Sequence, residues 1–184
     1  STGKPKIQLA EALETEWIDM DNVESPRDDL RTRGYRKGAA RFARGEGMWH
    51  GQGEIFFACT NGGISKTGQI FRYRPSPYEG TKREVEAPGK LVLYLEPNNT
   101  HLLQSCDNLT IAPWGDLIIC EDGPTHNYLR GVTPEGKAYT LAASMYHTRS
   151  ELCGACFAPD HPILFVNLQV PGLTLAVTGP WQDS

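Results

Sequence analysis

Three stretches of this chain repeat one plan, and that repetition limits the folds open to it. Residues 42–60, 106–122 and 152–169 each begin with small or acidic residues. Each then runs through a short strand and a turn holding Gly, Asp or Pro into a strand of large apolar residues. Those large strands begin at Ile55, Leu117 and Ile163. A unit of several strands that recurs about every 40–50 residues is the pattern of β-propeller blades. The first interval is the longer one, by what the loop over residues 75–88 supplies.

The sequence between these stretches agrees. Residues 68–74 alternate polar and apolar with period two, as a half-buried strand does. Residues 90–96, 128–132, 138–142 and 174–177 read as further strands separated by Pro, Gly and Asn turns. The expectation is an all-β chain of about three four-stranded β-propeller blades over residues 42–184. An irregular segment, residues 1–41, packs on them, with a short helical turn at residues 8–13. Closed propellers carry about four to eight blades. Three leave open sheet edges, so the blades belong to a larger ring or are completed by self-association.

Charge and cysteine content exclude some functions. A net charge of −4 gives no reason to expect a nucleic acid or an anionic membrane as partner. No apolar run approaches the roughly 20 residues a membrane helix needs. The five cysteines are an odd number for a disulfide framework. Cys59 and Cys120 close apolar strands and read as small buried side chains. Cys153 and Cys156 form a C-x-x-C, but Cys106 and Cys120 are not the second C-x-x-C that a zinc site wants. Asp19, Asp21 and Asn22 open like a calcium loop, but Glu24 and Leu30 stand where Gly and Glu are needed. That acidic stretch reads instead as a solvated segment neutralised by the basic residues after it.

The candidates for chemistry are acids at strand ends: Glu46, Asp107 with Asn108, Glu121 with Asp122, and Glu151. In a propeller the innermost strands converge, so acids far apart in sequence can share a metal ion, with oxygen ligands suiting calcium. From spacing alone, each acid taken singly reads more readily as a turn residue or a blade-to-blade hydrogen-bond partner than as a ligand.

Several longer motifs stand in order along the chain: Arg44-Gly-Glu-Gly, Phe57-Ala-Cys-Thr-Asn-Gly-Gly, Gly68-Gln-Ile-Phe-Arg-Tyr, Cys106-Asp-Asn-Leu-Thr-Ile-Ala-Pro-Trp-Gly-Asp, Cys120-Glu-Asp-Gly and Phe165-Val-Asn-Leu-Gln. Together they make residues 17–181 resemble the C-terminal half of the PhoX-type alkaline phosphatases. The resemblance implies a six-bladed β-propeller exported to the periplasm or secreted. It implies hydrolysis of phosphate monoesters with iron (Fe) and calcium (Ca) on the propeller axis. It places iron on Glu46 and Glu151 and a phosphate-binding, catalytic cation at Arg149. Asp107, Asn108, Glu121 and Asp122 stand where calcium ligation is expected. The family's iron-bridging cysteine belongs to an N-terminal half that has no counterpart in these residues, so a second half-propeller is the implied partner. The alternative is a non-catalytic propeller module held together by calcium.

Overall fold

The computed structural model describes residues 7–146 and 150–181. Their twelve strands make three antiparallel sheets. The first sheet holds β1 (Ala12–Glu14), β2 (Gly45–Gly51), β3 (Glu54–Cys59), β4 (Gln69–Arg74) and β5 (Lys90–Leu95), in the order β1-β5-β4-β3-β2. The second holds β6 (Cys106–Ile111), β7 (Leu117–Glu121), β8 (Tyr128–Val132) and β9 (Ala138–Ala143), in sequence order. The third holds β10 (Leu152–Phe157), β11 (Ile163–Leu168) and β12 (Leu173–Thr178). The strands β2, β6 and β10, which begin the three meanders, lie side by side. This is the arrangement of consecutive propeller blades, although the sheets have five, four and three strands rather than four each.

The middle sheet explains the sequence of β7. All five of its residues are buried, because it is covered on both faces. Leu117 and Ile119 join Phe56, Ile70 and Leu95 of the first sheet in one core. Cys120 and Leu129 join Leu152, Leu164 and Val166 of the third sheet in another. A strand covered on both sides loses the polar alternation of a half-exposed one. Each buried Ile or Leu contributes about 1.5–3 kcal/mol. Close approach of the first two sheets needs glycine. A Cβ on Gly47 would lie 2.5 Å from the Asp107 carbonyl oxygen, and one on Gly51 would lie 2.6 Å from Ile111 Cδ1.

The N-terminal segment differs from the expected helical turn. Leu9 bridges Leu93, and Ala12–Glu14 pairs with β5. An isolated turn of helix is too short to be stable in water, whereas the β5 edge offers unpaired backbone groups. The basic residues do neutralise the acidic stretch. Within the short helix α1 (Leu30–Arg36), Arg33 donates to the carbonyls of Asp21 and Asn22. It also pairs with Asp29 at 3.1 Å.

Candidate metal centre

The inner strands share a backbone device that the sequence did not announce. In each sheet the register slips by one residue at the same place: between Gly45 and Met48 in β2, Cys106 and Leu109 in β6, and Cys153 and Cys156 in β10. A bulge of this kind re-aims the side chain it carries. The residue one past the last regular pair is Glu46 in β2, Asp107 in β6 and Gly154 in β10. The residue before the inner strand also repeats in two sheets. Arg44 and Ser105 are both left-handed, with φ of 53° and 54°. Their carbonyls accept from the amides of Thr60 and Asp122, the residues that follow β3 and β7. That turn holds the Asp122 backbone beside the start of β6.

The result is a group of three carboxylates drawn from two sheets. Asp107, Asp122 and Glu151 each place an oxygen within 4.8 Å of the others. Glu46 is adjacent and its charge acts on both Asp107 and Glu151. Burial, then the hydrogen bond shared with Asp107, then the charges of Asp122, Asp107 and Glu46 push the Glu151 carboxyl up to about 7. Burial also raises Asp107, aided by Glu46 and Asp122 and opposed by the bond from Glu151 and by Arg44. Both carboxyls are thus raised, and Asp107 and Glu151 titrate as a pair. The counter-charge in the described residues is Arg44, whose Nε donates to Glu46 at 3.0 Å while its terminal nitrogen stands 4.0 Å from Asp122.

The support for these groups comes from two asparagines. Asn108 Oδ1 accepts from the Gly154 amide at 2.7 Å, tying β6 to β10, and its amide donates to Asp107 at 3.2 Å. Asn127, almost fully buried, accepts from the Gly123 amide and donates to the Ser150 carbonyl at 3.0 Å. The Glu151 carbonyl accepts from the Gln169 amide at 3.0 Å. Glu151 is therefore positioned by the second sheet as well as by its own.

Of the acids singled out from sequence, Glu46, Asp107, Asp122 and Glu151 come together. Glu121 lies elsewhere. It is fully buried, pairs with Arg130 at 2.9 Å, and accepts from the amides of Gln104 and Tyr128. Strand alternation sends Glu121 and Asp122 to opposite sides, and Glu121's oxygens are already spent. Arg149 lies outside the described residues. Arg44 and Asn127 were missed; Arg44 stood in a quoted motif, whereas nothing local distinguishes Asn127. No cysteine joins the carboxylates among the described residues. Burial lifts the thiols of Cys106 and Cys120 to about 12 and that of Cys59 to about 11, so they stay protonated.

Several carboxylates facing one arginine carry an excess of negative charge that burial makes costly. A cation relieves both the repulsion and the desolvation. The donors are all oxygen, so the group fits a hard cation such as calcium. A protein-family model described as alkaline phosphatase PhoX matches residues 5–172. No match was found among curated proteins or among solved structures.

Proposed function

We propose a metal-dependent phosphomonoesterase centre at this carboxylate group: the chain belongs to the alkaline phosphatase PhoX family. The observation that supports this location is the convergence of Asp107, Asp122 and Glu151 from two sheets, with Glu46 and Arg44 beside them. Asp107, Asp122 and Glu151 would hold a divalent cation, with calcium favoured by the oxygen donors. Iron is carried over from the family to Glu46 and Glu151. Bound metal supplies Lewis-acid polarisation of the phosphoryl oxygens.

The chain's own residues divide the remaining work. Asn108 and Asn127 fix the spacing of the second and third sheets, so the carboxylates stay in place without substrate. Arg44 offers a planar fork to phosphoryl oxygens; its bond to Glu46 orients that fork towards the carboxylates. Arg149 stands in the same proposal as a second phosphate-binding cation. Export to the periplasm and closure into a six-bladed ring follow the family. Closure by further blades, from a longer polypeptide or a second copy, agrees with the exposure of β12 at five of its six positions.

Elemental analysis of purified protein with p-nitrophenyl phosphate turnover tests the reading. Glu151→Gln and Asp107→Asn are expected to lose bound metal and turnover together. Metal retained with full turnover in either variant overturns the site. Calcium bound without turnover, in protein whose ring is complete, supports the scaffold module instead.

A further inference from the structure

At the opposite end of the blades from the carboxylates lies a groove that the phosphatase reading does not use. It is formed by the β6–β7 turn, the β8–β9 turn and the residues after β12. It has a volume of about 530 Å³, and Trp114, Asp116, Thr133, Glu135, Tyr139 and Trp181 contribute to its walls. A strand of five or six residues separates the two ends, roughly 17–20 Å. That volume lies within the usual range for small-ligand pockets, about 300–1,000 Å³.

The walls are held in place before any ligand arrives. The Trp114 and Trp181 rings stack at 5.4 Å with 20° between their planes. Phe157 meets both edge-on, at 5.4 and 6.0 Å. The Trp181 indole N–H donates to the Pro162 carbonyl. The Tyr139 hydroxyl donates to Asp116 at 2.7 Å, so the carboxylate is anchored inside the groove. The Thr133 carbonyl accepts from Tyr94 at 2.6 Å, which pins the second turn.

The chemistry of the walls is one-sided. Two carboxylates, Asp116 and Glu135, are joined by the aromatic side chains of Trp114, Tyr139 and Trp181, and among the described residues no Lys, Arg or His lines the groove. The bond from Thr133, with a smaller contribution from the charge of Lys137 in the same turn, holds the Glu135 carboxyl below its ordinary range, so it is ionised at neutral pH. Such a surface repels phosphate and carboxylate ligands. It attracts positive charge twice, through the carboxylates and through the π-systems of the aromatic lining. We infer that the groove binds an organic cation, a substituted or quaternary ammonium group, independently of the phosphatase centre.

Tryptophan fluorescence of the whole chain, titrated with choline, reads this directly, because two of the four tryptophans line the groove. Saturable change in the millimolar range or tighter is expected, and it should weaken as salt is raised. Glu135→Gln changes an exposed residue and should weaken half-saturation about five-fold. Trp181→Ala should abolish the response, while Trp17→Phe, at a residue that bonds Glu79 and does not line the groove, should leave it unchanged. Phosphatase activity should stay level in all three variants. An equal response to dimethylbutanol, the neutral carbon isostere of choline, overturns the inference, as does no saturable response to choline.

Discussion

Replacing Glu121 by Gln separates a structural acid from a metal ligand. The Glu121–Arg130 pair is closed at 2.9 Å, with side-chain exposures of 1% and 5%. The Glu121 oxygens also accept from the amides of Gln104 and Tyr128. Arg130 in turn donates to Thr140 and lies 4.1 Å over the Tyr128 ring. The substituted side chain keeps one acceptor for those amides but loses the charge. Its NH2 group would face N–H donors, and Arg130 would stay buried without a counter-charge. Breaking a buried pair from one side costs about 3–5 kcal/mol. For a chain of this size each kcal/mol moves Tm by about 2–4 °C, so a fall of about 10 °C is expected. Removing both charges, in the double variant Glu121→Gln with Arg130→Met, should cost less than the single change. Urea and thermal unfolding of the three variants and the parent complete the cycle, with metal content measured alongside. Wild-type stability in Glu121→Gln would refute the reasoning, as would a double variant no better than the single. Loss of bound metal at unchanged stability would return Glu121 to the ligand set.

Other outcomes follow from the same geometry. Gly47→Ala drives a Cβ to within 2.5 Å of the Asp107 carbonyl; overpacking of this kind costs about 1–3 kcal/mol, and both unfolding midpoint and metal content should fall. Asn108→Ala leaves the Gly154 amide without its acceptor, costing about 1–2 kcal/mol by denaturant unfolding and weakening metal affinity. In metal-free protein the folded state holds the Glu151 proton up to about pH 7 whereas the unfolded chain releases it near 4.5. The native state then binds more protons between those values, so stability falls as pH rises through that window. Urea midpoints across that window should show this slope in chelator, and Glu151→Gln should flatten it. Calcium at about 100 times its Kd should raise stability by about 2.7 kcal/mol; equal midpoints with calcium and with chelator would count against the site.

Much of the fold was readable because the large-residue strands repeat. Ile55, Leu117 and Ile163 mark strands β3, β7 and β11, and the residues around them supply both cores. What escaped was long-range pairing. Ala12–Glu14 joins a sheet through β5, whose sequence lies far away and carries no sign of a missing neighbour. The site was legible as a set of residue types at strand ends, and no further. Asp107 and Glu151 meet because two bulges and a side-chain bond set the second sheet against the third, and none of these has a local signature. Glu121 and Asp122 are adjacent in sequence, so only the strand face tells them apart. The R-G-E-G motif drew attention to Glu46, but only the left-handed turn at Arg44 shows the arginine beside the acids.

The carboxylates, Asn108 and Asn127 join the second sheet to the third across an otherwise apolar seam. The third sheet has three strands, and its outer strand β12 is mostly exposed. Taken alone it should open before the rest of the molecule. A cation held between Asp107, Asp122 and Glu151 acts as a rivet at the top of that seam. Amide hydrogen exchange should therefore be slowed by metal most strongly in β10 and β11, and least in β4 and β5 of the first sheet. An ion bound there would then also decide when the last blade is a blade at all.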